Sequence, residues 1–364
     1  MLWFHCASLG EFEQGRPVIE KIKSQNPGIK ILLTFFSASG YEVRKNYNKA
    51  DAILYLPSDT VTNARRFLKI AKPAMAVFVK YEFWYNFIDA CKLNMVPIIS
   101  ISAVFRSGQI FFRPWGGFFR KNLKSFSHFF VQEQNSLLLL NKIGLSNITV
   151  SGDTRFDRVY QLRNQQNEIN RVAEFSKYAN VMVLGSTWPS DIRILRELIN
   201  DLTIPLKFII APHHIRKKEF SSIERSLNVA HARFSDTEIP EGTRVLIIDN
   251  IGMLSSLYKY GKIAYVGGAF AEGLHNILEP AVYGLPVIFG NNRSNSKFME
   301  VEGLISAGGG FAISDENDLR SIVLKLLNEP EFYKSVVSAS CTYVLNNIGA
   351  TDRIVSYIGK QLKN

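Results

Sequence analysis

At 364 residues the chain is too long for one ordinary core and suits two domains of roughly 150 to 180 residues each. Hydrophobic residues at 46% and charged ones at 21%, with no long biased tract, exclude a disordered chain, and the lack of any run of about eighteen apolar residues excludes a membrane-spanning helix. Lysine and arginine outnumber aspartate and glutamate by 43 to 32, and the net charge of +11 favours an anionic partner or surface, unless it marks only a solvated basic face. Nucleic acid is disfavoured, because the basic residues are dispersed and neither zinc-finger spacing nor an RNP-like aromatic motif occurs. Cys6, Cys91 and Cys341 are far apart and without metal-ligand spacing, which suits a reducing, cytosolic compartment. No signal peptide precedes the first strand-like run.

Short apolar runs rich in β-branched and aromatic residues alternate with segments of helical period, the pattern of a parallel sheet covered by helices. In the first half they are Leu2 to Ala7, Ile31 to Phe36, Ala52 to Leu56, Ala76 to Val79, Ile98 to Ile101 and Phe129 to Val131. Helices are expected from near Glu11 and over Phe83 to Leu93. The second half repeats the scheme with Val181 to Leu184, Phe208 to Ile210, Val245 to Ile248, Ile263 to Val266 and Val287 to Phe289. This predicts an α/β chain of two Rossmann-like, doubly wound domains facing each other across a cleft, with ligand sites just after strands. The expected division is an N-terminal domain over 1–154, a polar linker over 155–177, a C-terminal domain over 178–345 and a terminal segment, 346–364. In that segment Asp352 to Leu362 reads as a helix able to pack back on the N-terminal domain.

Six places after strands carry chemistry. Ser8-Leu9-Gly10-Glu11 offers a tight turn at the glycine and a carboxylate at a helix start, fit to act as general base or, as an S-x-x-E capping box, to satisfy backbone amides. Lys80-Tyr81-Glu82-Phe83-Trp84 sets an acid beside aromatic surface. Ser102 to Ser107, with Arg106, leads into a basic stretch interleaved with aromatics, from Phe105 to Lys124, which suits a phosphorylated amphiphile or an ordinary amphipathic helix. In the second half Gly185-Ser186-Thr187 can hold phosphate at a helix N-terminus or simply cap it, and Pro212-His213-His214-Ile215-Arg216-Lys217 adds a cationic cluster. The most specific run is Val266 to Pro280, where paired glycines lead through Gly268 to His275, Asn276 and Glu279, the last placed to accept two ribose hydroxyls. It is neither a P-loop nor a dinucleotide fingerprint.

Taken together and in order, F-H-C-A-S-L-G-E at Phe4 to Glu11, Y-E-F-W at Tyr81 to Trp84, S-A-V-F-R-S at Ser102 to Ser107, G-S-T at Gly185 to Thr187, P-H-H at Pro212 to His214, D-x-x-G-x-L at Asp249 to Leu254, and G-G-A-F through H-N-I-L-E-P resemble the Kdo (3-deoxy-D-manno-octulosonic acid) transferases of lipopolysaccharide biosynthesis, which have the GT-B fold. The resemblance runs along nearly the whole chain. It implies inverting, metal-independent transfer of Kdo from CMP-Kdo to a lipid A precursor, with no cofactor. It makes Glu11 the catalytic base, gives acceptor contacts to Ser8, Gly10, Glu82, Arg106 and Ser107, and gives CMP contacts to Ser186, Thr187, His213, His214, Gly252, Met253, Gly268, His275, Asn276 and Glu279. A GT-B transferase for another nucleotide-sugar, or a non-catalytic relative that binds nucleotide or anionic lipid, is the alternative.

The chain departs from the pattern at His213, where an arginine is usual, at Trp188 after G-S-T, at Tyr85 after E-F-W and at Leu274 before His275. Relatives usually carry an apolar anchor before the first strand. Without one the chain is expected to be soluble as it stands, while the resemblance and the basic, aromatic stretch imply an anionic membrane surface at the cytoplasmic face of the inner membrane.

Overall fold

The computed structural model describes residues 1–165, 168–270, 273–292 and 298–363. The chain divides into two compact units, Met1–Arg158 with Asn347–Asn364, and Val159–Asn346.

In the first unit seven strands, β1 (Leu2–Cys6), β2 (Ile31–Phe35), β3 (Ala52–Tyr55), β4 (Met75–Val79), β5 (Ile98–Ala103), β6 (His128–Val131) and β7 (Ile148–Val150), form one sheet in the order β3-β2-β1-β4-β5-β6-β7. Every pairing is parallel. Strands β1, β2, β4 and β5 are buried at each position, as strands must be when helices cover both faces. Alternation divides β1 between two cores. Leu2, Phe4 and Cys6 join Val18, Ile19 and Ile22 of the helix Leu9–Gln25, and Trp3 joins Phe78, Phe87 and Ile88 on the other face.

The helix Ala350–Gln361 belongs to this unit. Its Ile354, Val355 and Ile358 enter the core beside Leu9–Gln25, and each fully buried isoleucine contributes about 1.5–3 kcal/mol. Asp157 fixes the start of the helix by accepting hydrogen bonds from the backbone N–H groups of Gly349 at 2.5 Å and Thr351 at 2.7 Å.

The second unit holds β8 (Val181–Thr187), β9 (Lys207–Pro212), β10 (His231–Arg233), β11 (Val245–Ile247), β12 (Ile263–Val266), β13 (Val287–Gly290) and β14 (Gly310–Ile313), again all parallel, in the order β10-β11-β9-β8-β12-β13-β14. Both units are therefore Rossmann-like sheets whose order reverses at the first strand, β1 in one and β8 in the other.

Every apolar run named from the sequence coincides with a strand, although Ala7, Phe36, Leu56 and Ile248 lie one residue past the ends of theirs. The short strands β7, β10 and β14 carried no such signal, since β10 is His-Ala-Arg and β7 is only half-buried. Two expectations differ from what is found. The helix expected over Phe83 to Leu93 starts at Tyr85, with Trp84 as its N-cap. The polar stretch over 155–177 contains most of the helix Thr154–Gln165 and the helix Asn170–Ser176, whose buried Val172 and Phe175 join the second unit's core. Gln166 and Asn167 of that stretch, and Ala271 and Glu272 of the glycine-rich run, lie outside the described residues.

Near the end of β8 a Cβ built on Gly185 would stand 2.0 Å from the hydroxyl of Tyr258, a buried ring. Gly185→Ala should destabilise the protein by about 1–3 kcal/mol through overpacking, read as a lower urea midpoint. Adding Tyr258→Phe, which removes the clashing oxygen, should recover part of the loss, and an undiminished loss would place the strain elsewhere.

Candidate functional site

In a doubly wound sheet ligands bind outside the carboxyl ends of the strands, where the order reverses. In the first unit that edge receives the loops after β1, β4 and β5. Lys80 (φ 69°) and Ser102 (φ 51°) hold left-handed backbone there, and Ser102 sits where the register of β5 shifts. Such strain, about 1–3 kcal/mol each, gathers where side chains must be re-aimed.

Glu11 lies in the first turn of the helix Leu9–Gln25. Its Oε2 accepts the Ser8 backbone N–H at 2.9 Å and the Ser8 hydroxyl. This is the capping arrangement. Oε1 takes no hydrogen bond among the described residues. Gly10 does not make the expected tight turn. It is helical, has no positive φ, and an added Cβ would meet only the Ser8 hydroxyl at 3.7 Å.

Glu82 is half-buried, and its Oε2 accepts the indole N–H of Trp84 at 2.6 Å. The same oxygen is 3.5 Å from Nε2 of His5, a wholly buried side chain of β1. The His5 Nδ1 is 2.9 Å from the Thr34 hydroxyl, which already accepts the Trp3 indole N–H at 2.8 Å. The Thr34 hydroxyl also reaches the Phe4 carbonyl at 3.4 Å, and Nε2 of His5 faces Glu82. Sequence reasoning gave His5 no role, although a histidine inside an apolar strand buried on both faces was the available signal.

Arg106 and Ser107 are exposed on the turn after β5. Burial raises the Tyr81 phenol, with Arg106 and Arg155 pulling it down and Glu11 and Glu133 pushing it up. Along the basic stretch Phe105 and Phe111 are core residues, and the Arg120 guanidinium turns back to the carbonyls of Phe111, Arg113 and Pro114. Arg113, Trp115, Phe118, Lys121 and Lys124 remain exposed.

In the second unit the reversal lies between β8 and β12. Ser186 (φ 51°) stands at the register shift near the end of β8. The carboxylate that organises this edge is Asp191, wholly buried in the helix Pro189–Asn200. It accepts the backbone N–H of Trp188 at 2.8 Å, that of Gly268 at 3.0 Å and the Tyr265 hydroxyl at 2.7 Å. Burial raises its carboxyl against the downward pull of those three bonds. The paired glycines are needed for this approach. A Cβ on Gly267 would lie 2.5 Å from the Ser186 carbonyl, and Gly268 (φ 98°) would bring one within 2.3 Å of the Gly273 carbonyl. Asp191 was another residue that sequence reasoning missed, though it occupies the third helical position after a Trp-Pro start.

This arrangement alters one expectation. Of the amides at the start of Pro189–Asn200, that of Trp188 is taken by the Asp191 carboxylate, that of Asp191 bonds the Trp188 carbonyl, and Pro189 has none. What stands at the rim instead is a stack of rings. His213 lies between Trp188 (4.6 Å, 18°) and His275 (4.5 Å, 27°), with His214 edge-on at 4.7 Å. The Trp188 indole N–H donates to His275 Nε2 at 3.1 Å, so the imidazole proton is on Nδ1. Asn276 is pinned by Leu278 N–H to its Oδ1 and gives its Nδ2–H to Glu279 Oε1, both at 3.1 Å. Gly252 (φ 91°) and Met253 form the turn into the helix Leu254–Leu257. The structure thus brings Trp188, His213, His214 and His275 together, and separately Asn276 with Glu279. No cluster of three His, Cys, Asp or Glu side chains able to hold a metal ion occurs among the described residues, nor any helix long and apolar enough to cross a membrane.

Residues 1–158 match the family model described as 3-Deoxy-D-manno-octulosonic-acid transferase (kdotransferase). The 3-deoxy-D-manno-octulosonic acid transferase of Aquifex aeolicus is 29% identical over 338 residues, covering 90% of this chain and 86% of its own. That of Rickettsia felis is 26% identical over 377 residues, covering 100% and 79%. Among solved structures, CalG4, the calicheamicin glycosyltransferase, superposes with a TM-score of 0.62 at 11% identity over 100% of this chain and 98% of its own, a likeness of fold.

Burial, and then the neighbouring His213, pushes His275 down to about 4. An unfolded imidazole takes up its proton near 6.5, so between those values the unfolded chain binds more protons and folding weakens as the pH falls. Thermal midpoints should therefore drop as pH is lowered from about 6.5 to about 4, and His275→Asn should flatten that drop. An unchanged slope in the variant would assign the protons to other groups.

Proposed function

We propose that this chain, a glycosyltransferase of the GT-B fold similar to the 3-deoxy-D-manno-octulosonic acid transferases, is a member of that family and moves Kdo from CMP-Kdo to a hydroxyl of a lipid A precursor with inversion and without a metal. The observation that carries the mechanism is the division of labour on Glu11. Its Oε2 is held by Ser8 and its Oε1 is open. In the reaction the acceptor oxygen forms a bond to the anomeric carbon, the bond from that carbon to the CMP phosphate breaks with its electron pair going to phosphate, and the acceptor proton passes to Oε1. The cap keeps the carboxylate oriented through the step, so that no reorganisation is needed as the proton arrives.

Ser8, Gly10, Glu82, Arg106 and Ser107 are assigned to the acceptor. Arg106 near Tyr81 suits a phosphate, and Glu82, clamped by Trp84 and His5, suits a hydroxyl. Ser186, Thr187, His213, His214, Gly252, Met253, Gly268, His275, Asn276 and Glu279 are assigned to CMP. The exposed His213, stacked between Trp188 and His275, is assigned to the leaving phosphate. Glu279, held by Asn276, suits the ribose hydroxyls. Exposed Trp115 and Phe118 (72% and 66%) with Arg113, Lys121 and Lys124 suit an anionic bilayer surface, rings in the headgroup boundary and cations on phosphates. That surface would be the cytoplasmic face of the inner membrane.

Glutamine at the third helical position still serves a capping box, so Glu11→Gln removes the base and keeps the cap. The variant should bind CMP as the parent does and lose about 10²–10⁴ in transfer rate. Near-normal turnover, measured as CMP release with CMP-Kdo and a tetra-acylated lipid A precursor, would take Glu11 out of the mechanism. For the membrane contact, Trp115→Ser with Phe118→Ser should abolish co-flotation with vesicles containing anionic lipid and leave CMP binding intact. Equal flotation of the double variant would refute the assigned surface.

A further inference from the structure

A cavity of about 280 Å3 runs from the ends of β8 and β9 along the groove between the helices Pro189–Asn200 and Lys217–Ser226. Thr187 and Trp188 form one end of it, so it adjoins the ring stack, but the rest of its lining has no part in the function proposed above. Its volume lies at the lower limit of small-ligand pockets, about 300 Å3, and suits a single sugar ring better than a nucleotide.

Two features of the lining are incomplete without a ligand. Thr187 is only 3% exposed, and its hydroxyl has no hydrogen-bond partner. Oε2 of Glu219 is likewise hidden from solvent and unpartnered. A buried acceptor without a donor costs about 1–3 kcal/mol, more when charged, so the complement of Glu219 is a molecule that donates a hydrogen there. Arg193 and Arg196 line the same cavity, Arg196 with the exposed Glu197 at 3.8 Å and neither in an ion pair with Glu219 Oε2. Guanidinium groups call for an anion, and a planar carboxylate matches their fork. Trp188 and Ile192 supply apolar surface of the kind that covers the C–H face of a sugar ring.

We infer that this cavity is a binding site for a small hydroxylated carboxylate of sugar-acid size, with its carboxylate toward Arg193 and Arg196 and its hydroxyls on Glu219 and Thr187. Two sources share that chemistry. One is the acidic sugar of the nucleotide-sugar, in which case the inference rests on the donor site proposed above. The other is a free sugar acid.

The test uses the full chain and two variants outside the assigned donor residues, Arg193→Ala and Glu219→Gln. Free Kdo, CMP and CMP-Kdo are titrated against each protein, with binding read by saturation-transfer NMR for the free acid and by calorimetry for the nucleotides. Free Kdo should bind the parent and weaken roughly tenfold or more in each variant, while CMP binds all three proteins alike. If the advantage of CMP-Kdo over CMP also disappears in the variants, the cavity seats the donor's sugar. If that advantage persists while free Kdo is lost, the cavity serves a free acid. Absence of free Kdo binding to the parent, or equal binding by all three proteins, would overturn the inference. Failure of CMP to bind the parent would instead count against the donor site, which the free-acid arm does not use.

Discussion

Parallel pairing around one central strand is the constraint on which the rest of each domain depends. Because β1 lies between β2 and β4, and β8 between β9 and β12, connections leave the central strand toward opposite sides and every strand ends at the same edge. Burial enforces that arrangement: the central strands are apolar on both faces and leave no face for water. All residues proposed to touch substrate follow from it, since Ser8, Glu82 and Arg106 stand on loops after β1, β4 and β5, and Ser186, His213 and Gly268 at or after the ends of β8, β9 and β12. The left-handed backbone at Lys80, Ser102 and Ser186 belongs to the same edge. Its strain persists because the buried strands determine the chain path on either side.

Burial also explains why two polar side chains sit deep at those edges. Asp191 gathers three donors from three elements, the start of a helix, strand β12 and the glycine turn after it. Removing its carboxylate would leave those donors without a partner in a dry interior, about 1–3 kcal/mol for each. His5 sits comparably in the first domain, hydrogen-bonded to Thr34, which accepts from Trp3, and with its Nε2 3.5 Å from Glu82. Such networks fix loop geometry more sharply than apolar packing does, because a polar atom slightly displaced loses its partner altogether.

These facts mark what a sequence can and cannot disclose. Strands buried on both faces are conspicuous, and the sheet edges, with the motifs that follow them, were legible from apolar runs alone. Short edge strands such as His231–Arg233 were not, because pairing rather than composition makes them strands. The linker stretch misled in the other direction: it is polar by content, yet Val172 and Phe175 are enough to bury a helix. At the site, motif residues were visible as types after strands, but partners were not. Nothing in Ser186-Thr187-Trp188 announces that Asp191 takes the amide a phosphate would want, or that Trp188 stacks on His213. Contacts between elements far apart in sequence are set by sheet order, which local patterns do not encode.

In the proposed mechanism capping and catalysis coexist in Glu11. A helix-capping carboxylate has two oxygens and needs only one for the backbone. The oxygen committed to Ser8 supplies orientation, and the other meets whatever the fold delivers to that edge. For the proposed reaction position is what matters: the acceptor proton becomes acidic as its oxygen bonds to the anomeric carbon, so a carboxylate held in place suffices where one free to rotate would not.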